Sequence, residues 1–391
     1  MRRLTAMNFI HQFTWAVIVI TLPLYLIYKG INVEEIGLIL SLVPLAMIFM
    51  RVFLAMLADR FGTKIFFIGH SIMQILATLT YIIATIPIQF GIGKLFEGTS
   101  YSFFWAVDRT AIFATAKNKA KAATEMSSVR MIAAALGMGL GGFLAFEFSF
   151  EFVYFILVGL GVISLILAVT RRDTPHHTEK LKETLSLKNK DKDYLKTALV
   201  MGFALGYFSL FFIFLLPVFL DLMMGLDSLA IGLFCMLFFL GMSLGMYVAT
   251  RMGLEESKLY ILQLFTIPLI IMLPYTGGFF LPVLFLIGLG TGIVFGIYEE
   301  LIVVSTEKEE INISTSVALL NTPGRVIEFA VLAGSGFVYM FLGYEAVFLL
   351  CALFLLLFIV FAKKILDSIS RSKIKAVEEK MEKEQDKLEE P

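Results

Sequence analysis

The chain has 391 residues, of which 59% are hydrophobic, 14% are aromatic and only 16% are charged, and its formal net charge is zero. A soluble protein of this length would need a much more polar surface, and a nucleic-acid-binding protein a basic one. The composition excludes both classes and predicts an integral membrane protein.

Apolar runs between charged or turn-rich breaks indicate where the chain crosses the bilayer. A helix crosses with about 20 apolar residues, whereas barrel strands alternate over about ten, a pattern absent from this chain. The first run is too long for a signal peptide and lacks its cleavage site, so we interpret it as a span. We predict about twelve transmembrane helices, at residues 4–28, 34–57, 65–86, 88–115, 123–147, 151–170, 197–221, 228–249, 258–275, 279–305, 311–341 and 344–362.

A long charged segment separates these spans into two sets of six. We predict an N-terminal six-helix bundle at residues 1–170, a cytoplasmic linker at 171–196, a C-terminal six-helix bundle at 197–362 and a charged cytoplasmic tail at 363–391. Lys and Arg concentrate in the breaks on one side, and the other side carries only Lys29. The positive-inside rule therefore predicts a multi-pass protein of the cell membrane with both termini in the cytoplasm.

The two halves are weakly similar to each other at an offset of about 191 residues. Residues 104–117 align with residues 295–308, and residues 60–62 align with residues 251–253. Internal duplication of a helical membrane unit is typical of transporters whose substrate site lies between the repeats, near the middle of the bilayer.

The short connection between the second and third spans carries the most specific motif. Ala55 and Thr63 are the departures from the pattern G-x-L-a-D-r-x-G-r-k, which is otherwise met by Leu57, Ala58, Asp59, Arg60, Gly62 and Lys64. Together with the six-plus-six spans and the charged linker, this motif resembles that of the major facilitator superfamily. The chain is thus similar to secondary transporters of two pseudo-symmetric bundles.

The resemblance implies alternating access, with the first, fourth, seventh and tenth spans lining a central cavity. It also implies that Asp59 belongs to a latch that holds the halves together on the cytoplasmic side. Thr250 stands at the equivalent place in the second half, which has therefore lost the carboxylate. We expect Arg51, Arg109 or Arg130 to pair with Asp59. The other predicted gate residues are Arg60, Gly62, Lys64, Asp108, Glu299 and Glu300.

One face of the fourth span carries Lys94, Glu97, Tyr101, Phe104 and Asp108, which recur every three or four residues. Ionisable groups at membrane depth cost about 2.5–3.5 kcal/mol each on insertion scales, so each one is a functional candidate. Lys94-x-x-Glu97-Gly98 resembles the family motif R-x-x-q-G, for which the resemblance implies proton coupling. We predict that Glu97 carries the proton with Lys94 as its counterion; a static ion pair is the alternative.

The eleventh span holds a second charged pair, Arg325 and Glu328, just after Pro323 and Gly324. Pro323 lacks a backbone donor, so we predict a kink or local unwinding there. Irregular backbone at membrane depth is tolerated only against protein or a water-filled cavity, which would turn the pair inward. It could bind an anionic substrate group or complete a proton relay; a self-satisfied ion pair is the alternative.

The first span contributes a polar face to the predicted cavity, and His11 on it titrates near neutral pH unless helix packing holds it. An aromatic wall with few amides favours apolar or cationic molecules over sugars. The predicted lining residues are Asn8, His11, Gln12, Trp15, Tyr101, Phe104, Trp105, Tyr207 and Tyr298.

Two further sequence features bear on function. Gly137 to Gly142 resemble the antiporter-associated pattern G-P-x-x-G-G with Met138 in place of Pro, although close helix packing also explains them. Cys235 and Cys351 lie in apolar runs, and no residue set has metal-ligand or nucleophile spacing, so we expect no enzyme, metal or cofactor.

We therefore expect a secondary active transporter similar to the drug:proton antiporter branch, which exports hydrophobic or cationic small molecules in exchange for protons. Its expected partners are a small-molecule substrate, protons and the lipid bilayer, without nucleic acid, and it should work as a monomer. A proton-coupled symporter or facilitator for a small polar metabolite is one alternative. A non-transporting membrane sensor derived from a transporter is another.

Overall fold

The computed structural model describes residues 2–115, 119–171, 192–251, 256–306 and 313–389, and within these ranges it contains helices and no strand. The helices are α1 (Arg2–Tyr28), α2 (Val33–Phe61), α3 (Lys64–Ile83), α4 (Pro87–Thr115), α5 (Lys119–Glu147), α6 (Phe150–Val169), α7 (192–222), α8 (Ser228–Arg251), α9 (Glu256–Met272), α10 (Phe280–Thr306), α11 (313–342) and α12 (344–389).

Most of these helices are long and apolar enough to cross a membrane. In the described part of the chain nine segments meet that requirement, and the last of them, Thr315–Ser368, has room for both α11 and α12. Helix α4, which carries Lys94, Glu97, Asp108 and Arg109, is not among them, and α9 is shorter than the others. Large apolar side chains are exposed on the outer faces, among them Phe49, Ile83, Phe155, Phe265 and Phe341. The predicted all-α membrane fold is confirmed.

Two six-helix bundles repeat the same packing. In the first half α2 packs on α4, and α3 packs on α4 and α6. In the second half α8 packs on α10, and α9 packs on α10 and on the continuous element that contains α11 and α12. Between the bundles, α2 meets α11 and α5 meets α8. The central space lies between these two contacts.

Glycines allow the bundles to touch at one end. We call the end that carries the chain termini the terminal face and the opposite end the loop face. A Cβ on Gly336 would lie 2.3 Å from the carbonyl oxygen of Val33, and one on Gly142 would lie 2.4 Å from that of Ser228. Backbone therefore packs on backbone in both inter-bundle contacts, and the loop face is closed. Close packing of α5 on α8 therefore explains why residue 142 is a glycine.

Helix α7 has an irregularity that the sequence analysis did not predict. It is α-helical at Lys192–Phe208, π-helical at Ser209–Leu215 and α-helical again at Leu216–Leu222. Pro217 follows the π turn and cannot donate a backbone hydrogen bond, so a regular α-helix would be interrupted here in any case. Because a π turn holds more residues than an α turn, it rotates the side chains before Pro217 about the helix axis relative to those after it.

Helix α11 corrects one prediction. The backbone stays helical through Pro323 and Gly324, so the predicted local unwinding does not occur. Gly324 instead allows close approach to α7, since its Cβ would lie 3.4 Å from the Cα of Gly202. The break comes at Gly343 between α11 and α12, where φ is 82° and ψ is 170°, a conformation that suits glycine.

The boundaries between the halves stay a prediction. Most of the predicted linker, residues 172–191, lies outside the described residues, and α7 already begins at Lys192. Arg171 is buried, and its guanidinium lies 5.0 Å from the ring centroid of Phe67. The last helix continues to Glu389, through most of the predicted tail.

Candidate functional site

A cavity with two adjoining regions lies between the bundles. The arginine region has a volume of about 230 Å³ and is named for Arg51, Arg109, Arg130 and Arg325 in its wall. The paired-charge region, of about 220 Å³, has Lys94, Glu97, Arg325 and Glu328 in its wall. The regions share a wall formed by Gln12, Trp15, Trp105, Leu205, Phe208, Phe295 and Arg325.

Lys94 and Glu97 form a buried ion pair in the paired-charge region. The Lys94 Nζ lies 2.9 Å from Oε2 of Glu97, and each side chain is 3% exposed. Tyr81 donates a hydrogen bond of 2.5 Å to the same oxygen, and Tyr101 donates one of 2.7 Å to Oε1. Three donors therefore surround one carboxylate, an arrangement that compensates the cost of burying it.

Arg325 and Glu328 form the corresponding pair in the second bundle. Nη1 of Arg325 lies 2.5 Å from Oε2 of Glu328. Ser209 donates a hydrogen bond of 2.7 Å to the other carboxylate oxygen. Ser209 is the first residue of the π turn. The hydroxyl group that binds the Glu328 carboxylate of α11 therefore belongs to the irregular part of α7. π turns are frequent at functional sites.

Asp108 lies behind the wall in a closed polar cluster. It is fully buried, accepts a hydrogen bond of 2.9 Å from Nδ2 of Asn8, and is ion-paired with Arg130. The Nε of Arg130 donates to Oδ1 of Asn8 at 2.8 Å, and its guanidinium carbon lies 4.9 Å from the Trp105 ring centroid. Asp108 and Arg130 thus satisfy each other within the first bundle.

Arg109 and Glu299 connect the bundles near the terminal face. The distance between Nη2 of Arg109 and Oε2 of Glu299 is 2.5 Å, and the side chains are 33% and 42% exposed. Arg109 is thus partly exposed, whereas Lys94 and Glu97 of the same helix are buried. The cavity is therefore accessible from the terminal face and closed at the loop face.

Arg51 of α2 also lines the arginine region, and among the described residues it has no bonded partner. Its residue exposure is 8%, its Nε is buried without a hydrogen bond, and neither a hydrogen bond nor an ion pair joins it to the described residues. The charged groups that act on it are Arg325, Arg109 and Glu328. It is a buried cation in a mainly cationic environment.

Aromatic side chains form the shared wall. Trp15 stacks with Phe208 at a centroid distance of 6.5 Å, and His11 stacks on Phe104 at 3.8 Å. His11 is 2% exposed and its Nδ1 has no hydrogen-bond partner among the described residues. The chain has only two tryptophans, Trp15 and Trp105, and both line the cavity.

The predicted lining residues fall into two groups. Those that line the cavity are His11, Gln12, Trp15, Tyr101, Trp105 and Tyr298. The structure places Asn8, Phe104 and Tyr207 in packed protein behind the wall: Asn8 binds Asp108, Phe104 supports His11, and Tyr207 hydrogen-bonds Thr291 at 2.7 Å. Asn8 and Phe104 share a helical face with the lining residues His11 and Tyr101, and spacing alone does not resolve this difference of depth.

The predicted latch at Asp59 stays a prediction, because the structure does not describe this side chain. Gly62 ends α2 with φ of 82° and donates its N–H to the carbonyl of Ala58. Arg60 is exposed over the Phe61 ring, Lys64 opens α3, and Glu300 is exposed beside Glu299. Of the arginines expected to pair with Asp59, Arg109 binds Glu299 and Arg130 binds Asp108. The third, Arg51, lines the cavity and has no hydrogen bond or ion pair to the described side chains, among which Asp59 is not included.

Sequence reasoning missed two residues that hold the carboxylates. Tyr81 lies in the third span, where nothing in the local pattern connects it to Glu97. Ser209 lies in an aromatic run, and only Pro217 marks that helix as irregular. Asn321, in the predicted motif of α11, accepts a hydrogen bond from Tyr298 and donates one of 2.8 Å to the carbonyl of Val317.

The site offers charge and hydrogen bonds rather than metal chemistry. Among the described side chains no group of three or more His, Cys, Asp or Glu could hold a metal ion. Cys235 and Cys351 are free and buried. The arrangement can hold a polar molecule between the two helical bundles through charges and hydrogen bonds.

Comparisons with known proteins agree on the fold. The crystal structure of the nucleoside transporter NupG matches with a TM-score of 0.69 at 15% identity, covering 93% of this chain and 98% of that one. The E. coli fucose:proton symporter FucP matches with a TM-score of 0.67 at 13% identity and the same coverage of both chains. The human organic anion transporter MFSD10 (TETRAN) matches with a TM-score of 0.63 at 14% identity, covering 92% of this chain and 98% of that one.

At these identities the likeness shows the fold alone. No curated protein matches the sequence of the chain. The family model of the Major Facilitator Superfamily matches residues 4–327, most of the chain, and includes the motif at Asp59. The chain belongs to the Major Facilitator Superfamily of membrane transporters.

Proposed function

We propose that the chain is a proton-coupled symporter for a small polar metabolite. The observation that carries the proposal is the placement of two buried ion pairs, Lys94 with Glu97 and Arg325 with Glu328, in the wall of one cavity between the bundles. Each pair belongs to a different bundle, so a substrate between them can contact both.

Glu97 is the proposed proton carrier. Protonation would neutralise its carboxylate, break the ion pair of 2.9 Å and leave Lys94 free to bind a substrate oxygen. The proton and the substrate would then be coupled through Lys94.

Efflux of hydrophobic cations, which the sequence favours, has less support. Each carboxylate in the cavity wall, on Glu97, Glu299 and Glu328, is already ion-paired. A cationic substrate would therefore meet a surplus of positive charge in a partly desolvated space, where like charges repel strongly. The names of NupG and FucP refer to nucleosides and fucose, which are small polar molecules, and this supports the same choice.

The predicted orientation of the protein in the membrane indicates the direction of transport. If the terminal face is cytoplasmic, as the Lys and Arg distribution predicts, the structure represents a form that is closed outside and open inside. Substrate would then be released into the cytoplasm from this form. The sensor hypothesis has less support, because a sensor has no need of a cavity lined by buried ion pairs.

The test uses purified protein in liposomes that contain a trapped pH indicator and an alkaline interior. Uridine, L-fucose and phenyl phosphate serve as probes, each added outside at acidic pH. We expect a transported probe to acidify the interior, and Glu97→Gln to abolish that acidification while keeping exchange of labelled probe across the membrane.

Glu147→Gln is the matched control, because Glu147 is an exposed acid at the end of α5. It should behave like the wild type. Probe accumulation that ignores the pH gradient in the wild type would contradict proton coupling. Outward movement of a lipophilic cation such as tetraphenylphosphonium, driven by inward protons, would restore the efflux hypothesis instead.

A further inference from the structure

We infer that the arginine region binds the oxyanion of an organic anion through Arg51 of α2 together with Arg325 of α11. The inference rests on the proposed function and deepens it by naming the chemical class of the substrate: an apolar or aromatic body that carries one carboxylate or phosphate group.

The first step of the argument is the isolation of Arg51. A buried polar group is normally hydrogen-bonded, and a buried cation is normally ion-paired, because desolvation is otherwise uncompensated. Arg51 is 8% exposed and lines the cavity, yet no hydrogen bond or ion pair to the described residues satisfies it. An ionisable group retained in such a place is a candidate for binding a ligand, which would then compensate its charge.

Among the described residues of the cavity wall, charge matching leaves Arg51 as the surplus cation. Every other cation in the wall has a carboxylate partner: Lys94 has Glu97, Arg109 has Glu299, Arg130 has Asp108 and Arg325 has Glu328. With these pairs intact, the described lining retains one positive charge. A monoanion would neutralise it.

Arg325 completes the proposed oxyanion site. It acts electrostatically on Arg51, and its own Nε is buried without a hydrogen bond while Nη1 binds Glu328. Two guanidinium groups repel each other unless an anion lies between them. Guanidinium recognises carboxylate and phosphate through paired N–H donors, so one oxyanion can accept from both residues.

The other residues of the arginine region indicate the chemical character of the remaining part of the ligand. Its wall includes Trp15, Phe208, Phe239 and Met242, which offer apolar surface and aromatic faces. A free inorganic ion would leave this surface unused. Arg51 comes from the first bundle and Arg325 from the second, so the anion would also join the bundles.

Intrinsic tryptophan fluorescence provides a direct test, because both tryptophans of the chain lie in the cavity wall. Detergent-solubilised full-length protein is titrated with 3-phenylpropionate and its neutral analogue 3-phenylpropionamide. A second pair, phenyl phosphate and benzyl alcohol, separates phosphate from carboxylate recognition. We expect saturable emission changes with at least one anion, and binding at least about tenfold weaker with its neutral analogue, since ionised partners strengthen hydrogen bonds.

Substitutions at Arg51 then test whether this residue causes the preference for the anion over its neutral analogue. Arg51→Gln should weaken binding of the anion about tenfold and leave the neutral analogue unchanged, and Arg51→Lys should lie between the two, because Lys keeps the charge without the paired donors. Arg2→Gln removes one arginine from the exposed N-terminus and serves as the matched control. In the absence of ligand, Arg51→Gln should raise the melting temperature, because it removes an unpaired buried charge.

Three results would overturn the inference: no saturable emission change with either anion, equal affinity for an anion and its neutral analogue, or wild-type anion binding by Arg51→Gln. Glu97→Gln should keep the Arg51-dependent preference. If proton coupling fails in liposomes while this preference persists, the proposed symport is wrong and the anion site stands. If the preference is absent while a neutral probe is transported with protons, only the anion site is wrong.

Discussion

Arg109 of α4 and Glu299 of α10 form an ion pair that joins the two bundles near the terminal face, with 2.5 Å between Nη2 and Oε2. In the internal alignment Arg109 corresponds to Glu300, the neighbour of Glu299, so the pair links almost equivalent places of the two repeats. Both side chains are accessible to solvent, at 33% and 42%. Exposed pairs contribute about 0–1 kcal/mol, so this contact is a weak clasp, in contrast to the backbone packing at the loop face.

Reversing the charge of Arg109 should shift the equilibrium between conformations that are more and less open at the terminal face, with little effect on the free energy of unfolding. Arg109→Glu places a carboxylate opposite Glu299, and we expect the terminal face to open further. The labelling rate of a cysteine at Ser127, in the wall of the arginine region, should rise about two- to fivefold. The native Cys235 and Cys351 are buried and should not interfere. Arg109→Glu combined with Glu299→Arg should restore the original rate; identical rates in single and double variants would exclude the clasp.

Gly142 should be a sensitive position for closure of the loop face. A side chain there meets backbone of α8, so Gly142→Leu must separate α5 from α8, at a cost of about 1–3 kcal/mol in this conformation. We expect the equilibrium to shift about 5- to 150-fold toward a form open at the loop face. Labelling of a cavity cysteine by a membrane-impermeant reagent from the loop side measures the shift.

Gly159 provides the control for that substitution. It lies exposed on α6, and a Cβ there would have no neighbour within 4 Å. Gly159→Leu adds the same side chain without a clash, so labelling should match the wild type. An equal change in both variants would point to a general effect of leucine rather than to closure.

A double-mutant cycle distinguishes a proton site from a static ion pair at Lys94 and Glu97. Lys94→Met leaves a buried carboxylate without its cation and should destabilise the protein by about 3–5 kcal/mol. Adding Glu97→Gln should recover much of that loss, because neither charge then remains. Thermal unfolding in detergent measures stability, and proton flux in liposomes measures coupling. The stable double variant should have no proton coupling; retained coupling would favour the static pair.

Ser209→Ala tests the π turn of α7. Loss of the hydrogen bond of 2.7 Å to Glu328 should cost about 1.5–3 kcal/mol, the range for bonds to charged groups. Ser243→Ala is the matched control, since Ser243 on α8 bonds only to the carbonyl of Phe239 in its own helix. Unfolding temperatures of the two variants give the comparison. A smaller loss at Ser209 than at Ser243 would show that the contact with Glu328 contributes little.

Local helix geometry explains which parts of the site are predictable. Lys94 with Glu97 and Arg325 with Glu328 are i, i+3 pairs, so any continuous helix brings their side chains together. His70 and Gln74 hydrogen-bond to neighbouring helices, His70 to Ser100 and Gln74 to Thr14. Such contacts follow from spacing and from the rarity of polar residues in apolar spans.

Contacts between distant segments could not be derived in this way. Arg130 was a candidate partner of Asp59 by position, yet it binds Asp108, and Tyr81 reaches Glu97 from another helix. These partners depend on which helices are adjacent and on their rotation. Neither quantity is encoded in the local period of the sequence.

The sequence by itself determines that the protein resides in a bilayer as two related sets of helices, because a run of about 20 apolar residues satisfies its backbone hydrogen bonds internally. It also shows the family through the motif at Asp59. Only the tertiary structure shows that Arg51 lines the cavity without a hydrogen bond or ion pair to the described side chains, and that the loop face is closed at Gly142 and Gly336. Both features depend on how rigid helices far apart in the chain pack together.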